Sequence, residues 1–288
     1  MMSPNARGAL LMTGSQAAFV LNDTCVKVVG GAVPLFQLLV LRGVLVVVLI
    51  ILLARQVGAL HWRVQGRDRW LLALRCVSEM GMTYFFLTAL LNMPLANVTA
   101  ILQVLPLTVT LGAVLFLGEP VGWRRSAAIA VGFLGMLLIV RPGGEGFGVY
   151  TLYALAAVVC VTARDLLTRQ MSGDIPSMTV TVYGAIALLL FACVMSLSVE
   201  WVPVTALDSA LIIGAALSVM FGYLLSVMVM RAGDVSFTAP FRYAGLVLAL
   251  LLGWLVWGDW PDGLTLLGAA IVAGTGLFTF YREQMSRR

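Results

Sequence analysis

Apolar residues fill the chain in ten runs, each close to the length of about 20 residues that crosses a hydrocarbon core as a helix. The predicted spans are Arg7 to Val29, Pro34 to Ala54, Trp70 to Leu91, Leu95 to Leu117, Trp123 to Val140, Val149 to Gln170, Pro176 to Val199, Asp208 to Met230, Val235 to Trp257 and Gly263 to Tyr281. The connections between them are too short to hold a soluble domain. The pattern predicts an all-α integral membrane protein whose function lies within the bilayer. Arg7 before the first run gives it the look of a secretory signal, but it is too long and carries Asn22 and Asp23, so it is read as an uncleaved helix.

The polar interruptions recur. Asn22-Asp23, Lys27 and Pro34 are matched by Arg164-Asp165, Arg169 and Pro176, each 142 residues further on. Ala128-x-x-x-Gly132 and Ala270-x-x-x-Gly274 keep that offset, and the turns Gly118-Glu119-Pro120 and Gly258-Asp259-Trp260-Pro261 stand 140 apart. A period this long predicts two structural repeats, residues 1–142 and 143–288, of five helices each. An odd number of spans per repeat forces the second into the membrane upside down relative to the first. Pro106 and Pro240 fall inside the fourth and ninth spans, where a missing N–H bends a helix. The small-residue faces at Ala128/Gly132 and Ala270/Gly274 suit either close packing within the chain or a homodimer contact, so both a monomer and a homodimer are compatible with them. Trp254, Trp257 and Trp260 are placed to anchor at the membrane interface.

Composition agrees with the pattern: 61% of the 288 residues are hydrophobic and 11% charged, against about 45–50% and about 25% in soluble domains. The net charge of +5 encodes orientation. With the N-terminus cytoplasmic, Arg7, Arg55, Arg63, Arg67, Arg69, Arg124, Arg125, Arg169, Arg231, Arg282, Arg287 and Arg288 all fall on the cytoplasmic side, and Lys27 and Arg141 fall opposite. Both termini are therefore predicted inside, with no nucleic-acid face. Cys25, Cys76, Cys160 and Cys193 stand singly and the one histidine, His61, lies in a basic loop, which predicts no metal site and no cofactor.

The run Ala96 to Leu117 around Pro106, the sequence Leu117-Gly118-Glu119, and the fifth helix with Gly132-x-x-Gly135 ending at Arg141-Pro142 resemble the drug/metabolite transporter superfamily, specifically its EamA-type members. The second copy runs from Phe241-Arg242-Tyr243 to Gly258-Asp259, with Asp where the family commonly has Glu. The resemblance implies ten helices as two inverted five-helix repeats, in a bacterial inner membrane, around a central cavity lined by the first, third and fourth helices of each half. The chain is similar to bacterial amino-acid exporters, including the aromatic group, which implies export of aromatic and other neutral amino acids by alternating access. S-adenosylmethionine carriers share the Asn-Asp of the first helix and stand as the alternative.

A charged side chain at a helix centre costs about 2.5–3.5 kcal/mol on insertion scales, so each one should be paired or face water. Arg75 and Glu79, four apart on the third helix, form either a structural pair or part of the cavity wall. In the second reading Glu79, with Ser78, Met82 and Thr83, meets a substrate ammonium. Arg242 with Tyr243, after Pro240, is the candidate for a substrate carboxylate, because guanidinium offers a carboxylate two parallel hydrogen bonds. Gln103 is its uncharged near-counterpart, and Tyr223 completes the proposed wall. Asn22, Asp23 and Lys27, with Arg164, Asp165 and Arg169, are either gate elements at opposite surfaces or ordinary helix-end pairs. Arg42 has no evident partner.

The absence of a G-x-x-x-x-G-K-[ST] stretch excludes nucleotide hydrolysis by this chain. An intramembrane enzyme would need convergent acid–base or metal groups, and the spans carry no histidine. The expectation is a secondary carrier of a small molecule in the lipid bilayer.

Overall fold

The structure, a computed structural model, describes residues 4–56, 63–118, 123–141, 148–232 and 239–287. Its helices are α1 (Pro4–Val29), α2 (Leu35–Gln56), α3 (Arg67–Asn92), α4 (Leu95–Leu102), α5 (Leu105–Leu117) and α6 (Trp123–Val140) in the first half. The second half has α7 (Val149–Arg169), α8 (Ser177–Ser196), α9 (Ala206–Ala232), a 3-10 turn (Ala239–Tyr243), α10 (Ala244–Trp257) and α11 (Gly263–Arg287). Among the described residues there is no strand. The Glu119-Pro120 part of the fourth-span turn, Pro142 and His61 lie outside the described residues, as do the side chains of Arg124, Arg125, Arg231, Arg282 and Arg287 and the whole of Arg288.

The two interrupted spans show how prolines shape the backbone. Pro106 offers no N–H to the carbonyl one turn earlier, and the ladder tightens there: Gln103 N bonds Ala100 O at 3.2 Å, Val104 N bonds Ile101 O at 3.2 Å and Leu107 N bonds Val104 O at 2.9 Å. The fourth span is thereby cut into α4 and α5. The ninth span, described from Ala239, opens with Pro240 in the 3-10 turn and becomes α-helical only at Ala244. Gln103 and Tyr243 stand at these two breaks, 140 residues apart. The same offset closes the two spans, which end on left-handed glycines, Gly118 (φ 67°) and Gly258 (φ 74°), a conformation only glycine adopts without cost.

Packing follows the duplication. Helix α1 lies along α9, and the exchanged pair α7 lies along α3; α5 and α4 meet α7 as α10 meets α1. The remaining major pairs, α2 with α8, α6 with α11 and α4 with α10, each join equivalent spans of the two halves. That is the arrangement a pseudo-two-fold axis produces, and with five spans per half the repeats are inverted. Close approach at the α6–α11 crossing requires glycine: a Cβ on Gly268 would stand 2.5 Å from Gly135 O and 3.2 Å from Ile139 N, both backbone atoms. Gly132 packs into the same seam, against Leu107 and Thr275. The second small-residue face is different, since Ala270 and Gly274 are exposed.

Two large core clusters are present among the described residues, one around α4–α7 and one at the end where α1 finishes. Val26, Val29, Val33, Leu38, Leu39, Leu90 and Leu95 are all nearly inaccessible and form one cluster with parts of α8, α9 and α10. The outer surface of the bundle is studded with large apolar side chains such as Val48, Leu74, Phe116, Leu134, Val159, Leu255 and Leu267, as a lipid-facing surface requires. Trp254 and Trp260 are exposed near the end of α10, consistent with interfacial anchoring.

Candidate functional site

Five helices long and apolar enough to cross a membrane by composition alone are Leu35–Gln56, Leu95–Leu117, Val149–Arg169, Ser177–Ser196 and Ala206–Ser226, the second counted through its proline break. Helices α1 and α3 are not in that set; they carry Asp23, Arg75 and Glu79, while α2 and α7, which are in it, carry Arg42 and Arg164. Glu79 lies near the middle of the 26-residue α3, about 18 Å from its start at about 1.5 Å per residue. It is buried. Its Oε2 sits 3.4 Å from Arg164 Nη1 on α7 and 3.6 Å from Arg75 Nη2 one turn earlier on α3. Arg164 also holds Asp165 at 3.0 Å, and Arg75 Nε donates to Thr168 Oγ1 at 3.2 Å. Tyr223, from α9, stands in the electric field of Glu79, Arg164, Arg75 and Arg42 and packs edge-on against Phe19 with ring centres 5.5 Å apart.

Arg42, without an evident partner in the sequence, joins a second arm of this network. Its Nη1 donates to Asn22 Oδ1 at 2.8 Å, and Asn22 Nδ2 donates to Asp23 Oδ1 at 2.9 Å. Asn22 thus stands between a guanidinium and a carboxylate, and both Arg42 and Asn22 are buried. Residues from α1, α2, α3, α7 and α9 therefore converge through the interior rather than face lipid. The cost of burying so many charges is offset only by mutual pairing, which makes the cluster the candidate functional site.

The structure brings together Glu79, Tyr223, Asn22, Asp23, Arg164 and Asp165. Thr83 is buried one turn beyond Glu79, and Met82 is half-buried beside it. Ser78 spends its hydroxyl on Leu74 O at 3.0 Å, within its own helix. Gln103 is half-buried at the α4–α5 break. Tyr243 has a buried hydroxyl with no partner among the described residues, set against Gly276 of α11. Arg242 is exposed on its 3-10 turn and stands outside the network. Arg169 is exposed near the end of α7.

Lys27 departs from its expected pairing with Asp23. Its Nζ donates to Leu90 O at 2.7 Å and to Met93 O, at the C-terminal end of α3, and lies 5.5 Å over the Trp257 ring. A helix C-terminus leaves its last carbonyls unpaired and carries partial negative charge, so an ammonium satisfies it twice over. The ends of α1, α3 and α10 are thereby tied. Beside them, buried Gln37 exchanges two hydrogen bonds with the Val202 backbone, Nε2 to Val202 O at 2.7 Å and Val202 N to Oε1 at 2.9 Å. Reasoning from spacing missed Arg42, Thr168 and Gln37, whose partners lie 20, 93 and 165 residues away in sequence. A polar residue isolated in an apolar run was the only available signal.

The profile of the EamA-like transporter family matches residues 6–141 and again 149–281. The riboflavin transporter of Rhizobium johnstonii is 30% identical over 203 residues, covering 70% of this chain and 67% of that protein. An S-adenosylmethionine uptake transporter of Rickettsia conorii is 29% identical over 196 residues, 66% of this chain and 65% of that one. A pseudopaline exporter of Pseudomonas aeruginosa is 27% identical over 268 residues, 92% of this chain and 93% of that one. The chain thus spans about two thirds of the first two relatives and nearly all of the third. A solved crystal structure covering 97% of this chain and 99% of its own superposes with a TM-score of 0.64 at 22% identity, a likeness of fold.

Proposed function

Because the chain belongs to the EamA-like transporter family, and so is a multi-pass membrane transporter of small molecules rather than an enzyme, we propose that it is a secondary carrier for metabolites bearing an amino-acid head group. Aromatic and other neutral amino acids are the first choice of substrate, exported across a bacterial inner membrane, with both termini cytoplasmic. The repeats, residues 1–142 and 143–288, rock about the buried charge cluster to expose it to one side and then the other.

The observation that carries this reading is the position of Glu79 between Arg75 and Arg164 at 3.6 and 3.4 Å, about halfway along α3. A zwitterion presents the same two charges in return, carboxylate to guanidinium and ammonium to carboxylate. S-adenosylmethionine carries an amino-acid head group as well, and the relative that takes it up makes it the second reading. Riboflavin lacks that head group and so tests whether it is required.

The test is reconstitution of the full chain into liposomes and counterflow with labelled phenylalanine, tryptophan, S-adenosylmethionine and riboflavin. Saturable exchange of the first two, or of the third, is expected. Exchange of riboflavin alone would reject the amino-acid head group while leaving a carrier.

A further inference from the structure

At the offset of 142 that aligns Asn22 with Arg164 and Asp23 with Asp165, Arg42 of α2 falls on Gly184 of α8. The two repeats therefore supply a guanidinium to the shared carboxylate in different ways. In the first it comes from the second helix, where Arg42 reaches Asp23 through Asn22. In the second it comes from the first helix, where Arg164 holds Asp165 directly. With Arg164 in that role, the position on α8 carries no side chain and is left as a buried glycine.

The guanidinium of Arg75 lies in the space so vacated. A Cβ on Gly184 would come within 2.8 Å of Arg75 Nη1. Arg75 uses Nε on Thr168 and Nη2 on Glu79, yet Nη1 is buried and has no acceptor among the described residues. Buried donors are almost always paired, so an unpaired one inside the bundle marks a place for a missing acceptor. Arg75 and Glu79 together present a donor and a carboxylate side by side. An α-amino acid carries its carboxylate and ammonium on a single carbon, which suits that spacing.

We infer that Arg75, seated on Gly184, is the residue that takes the carboxylate of the substrate, while Glu79 takes its ammonium. This rests on the reading that the substrate has an amino-acid head group, and it moves the carboxylate contact from Arg242, which stands outside the network, to α3. Arg75 belongs to one repeat and Gly184 to the other, so the subsite is formed between the two halves and responds to their relative movement.

Gly184→Ala is the informative change. The atom its new methyl meets is the tip of a long flexible side chain, so the guanidinium is displaced and the helices are not. The assay is counterflow in liposomes with phenylalanine and S-adenosylmethionine, each set against a partner lacking the free carboxylate, phenylalaninamide and decarboxylated S-adenosylmethionine. The wild type is expected to discriminate against these partners at least tenfold. Gly184→Ala should raise KM for the zwitterion about tenfold with Vmax unchanged, and Arg75→Gln should abolish the discrimination. Adding Arg75→Lys to Gly184→Ala should recover part of the affinity, because the shorter amine clears the methyl. Discrimination retained in Gly184→Ala, or a wild type that accepts zwitterion and amide alike, overturns the subsite and leaves the carrier reading standing. A wild type that exchanges neither zwitterion overturns that reading and the subsite with it.

Discussion

Glu79→Gln preserves the shape of the side chain and removes one charge from the middle of the membrane. The carboxylate oxygen lies 3.4 Å from Arg164 and 3.6 Å from Arg75. These separations exceed the roughly 2.8 Å of a charge-assisted hydrogen bond, so the attraction is mainly Coulombic. At an effective dielectric of about 20, each contact is worth about 5 kcal/mol gross. The desolvation of the carboxylate opposes this, and removing one member of a buried pair costs about 3–5 kcal/mol net. Asp165 still neutralises Arg164 after the change, which places the expected loss near the lower end, about 3 kcal/mol or two orders of magnitude in the folding equilibrium. Thermal unfolding of the purified chain in detergent should show a clear drop in midpoint, and counterflow in liposomes should fall to background. Glu79→Asp, which keeps the charge but draws it back by one methylene, should recover stability more than transport. A Glu79→Gln protein with wild-type midpoint and wild-type exchange would refute the view that this carboxylate organises the cluster.

Lys27→Met removes the donor that ties α1 to the last carbonyls of α3; hydrogen bonds to a charged group are worth about 1.5–3 kcal/mol each. That end of the bundle should then open more often, read as faster labelling of half-buried Cys25 by a membrane-impermeant maleimide. Gly268→Ala drives a methyl into the backbone of α6 and should destabilise by about 1–3 kcal/mol, measured as a lower thermal midpoint. Asp262, ahead of α11, is held down to about 2 by the Arg141 guanidinium and by the Thr265 backbone N–H. A depressed carboxylate contributes stability above its unfolded value and loses it as pH falls through the folded one. The midpoint difference between wild type and Asp262→Asn should therefore stay constant from pH 8 to about pH 4.5 and shrink only on approach to pH 2. Its amplitude should be small, because the group is exposed.

The chain of 288 residues by itself determined the number of spans, the duplication and the places where helices break. These are local or periodic properties. Twenty apolar residues must be helical in lipid because no water is there to satisfy the backbone, a proline lacks its N–H wherever it stands, and a repeat displays its own offset. The pairing of Arg75 with Glu79 was legible for the same reason, since a helix sets residues four apart side by side. What only the tertiary structure decided was which distant groups meet. Asp23 and Lys27 have helix spacing for a pair, yet Asp23 goes to the Asn22–Arg42 arm and Lys27 to the carbonyls at the end of α3. Arg42 found its partner across two helices, and Arg164 reached Glu79 from the opposite repeat, 85 residues away. Charges buried in a low-dielectric interior take the strongest available partner in three dimensions, and the choice among them depends on how the two repeats dock, which no one-dimensional spacing records.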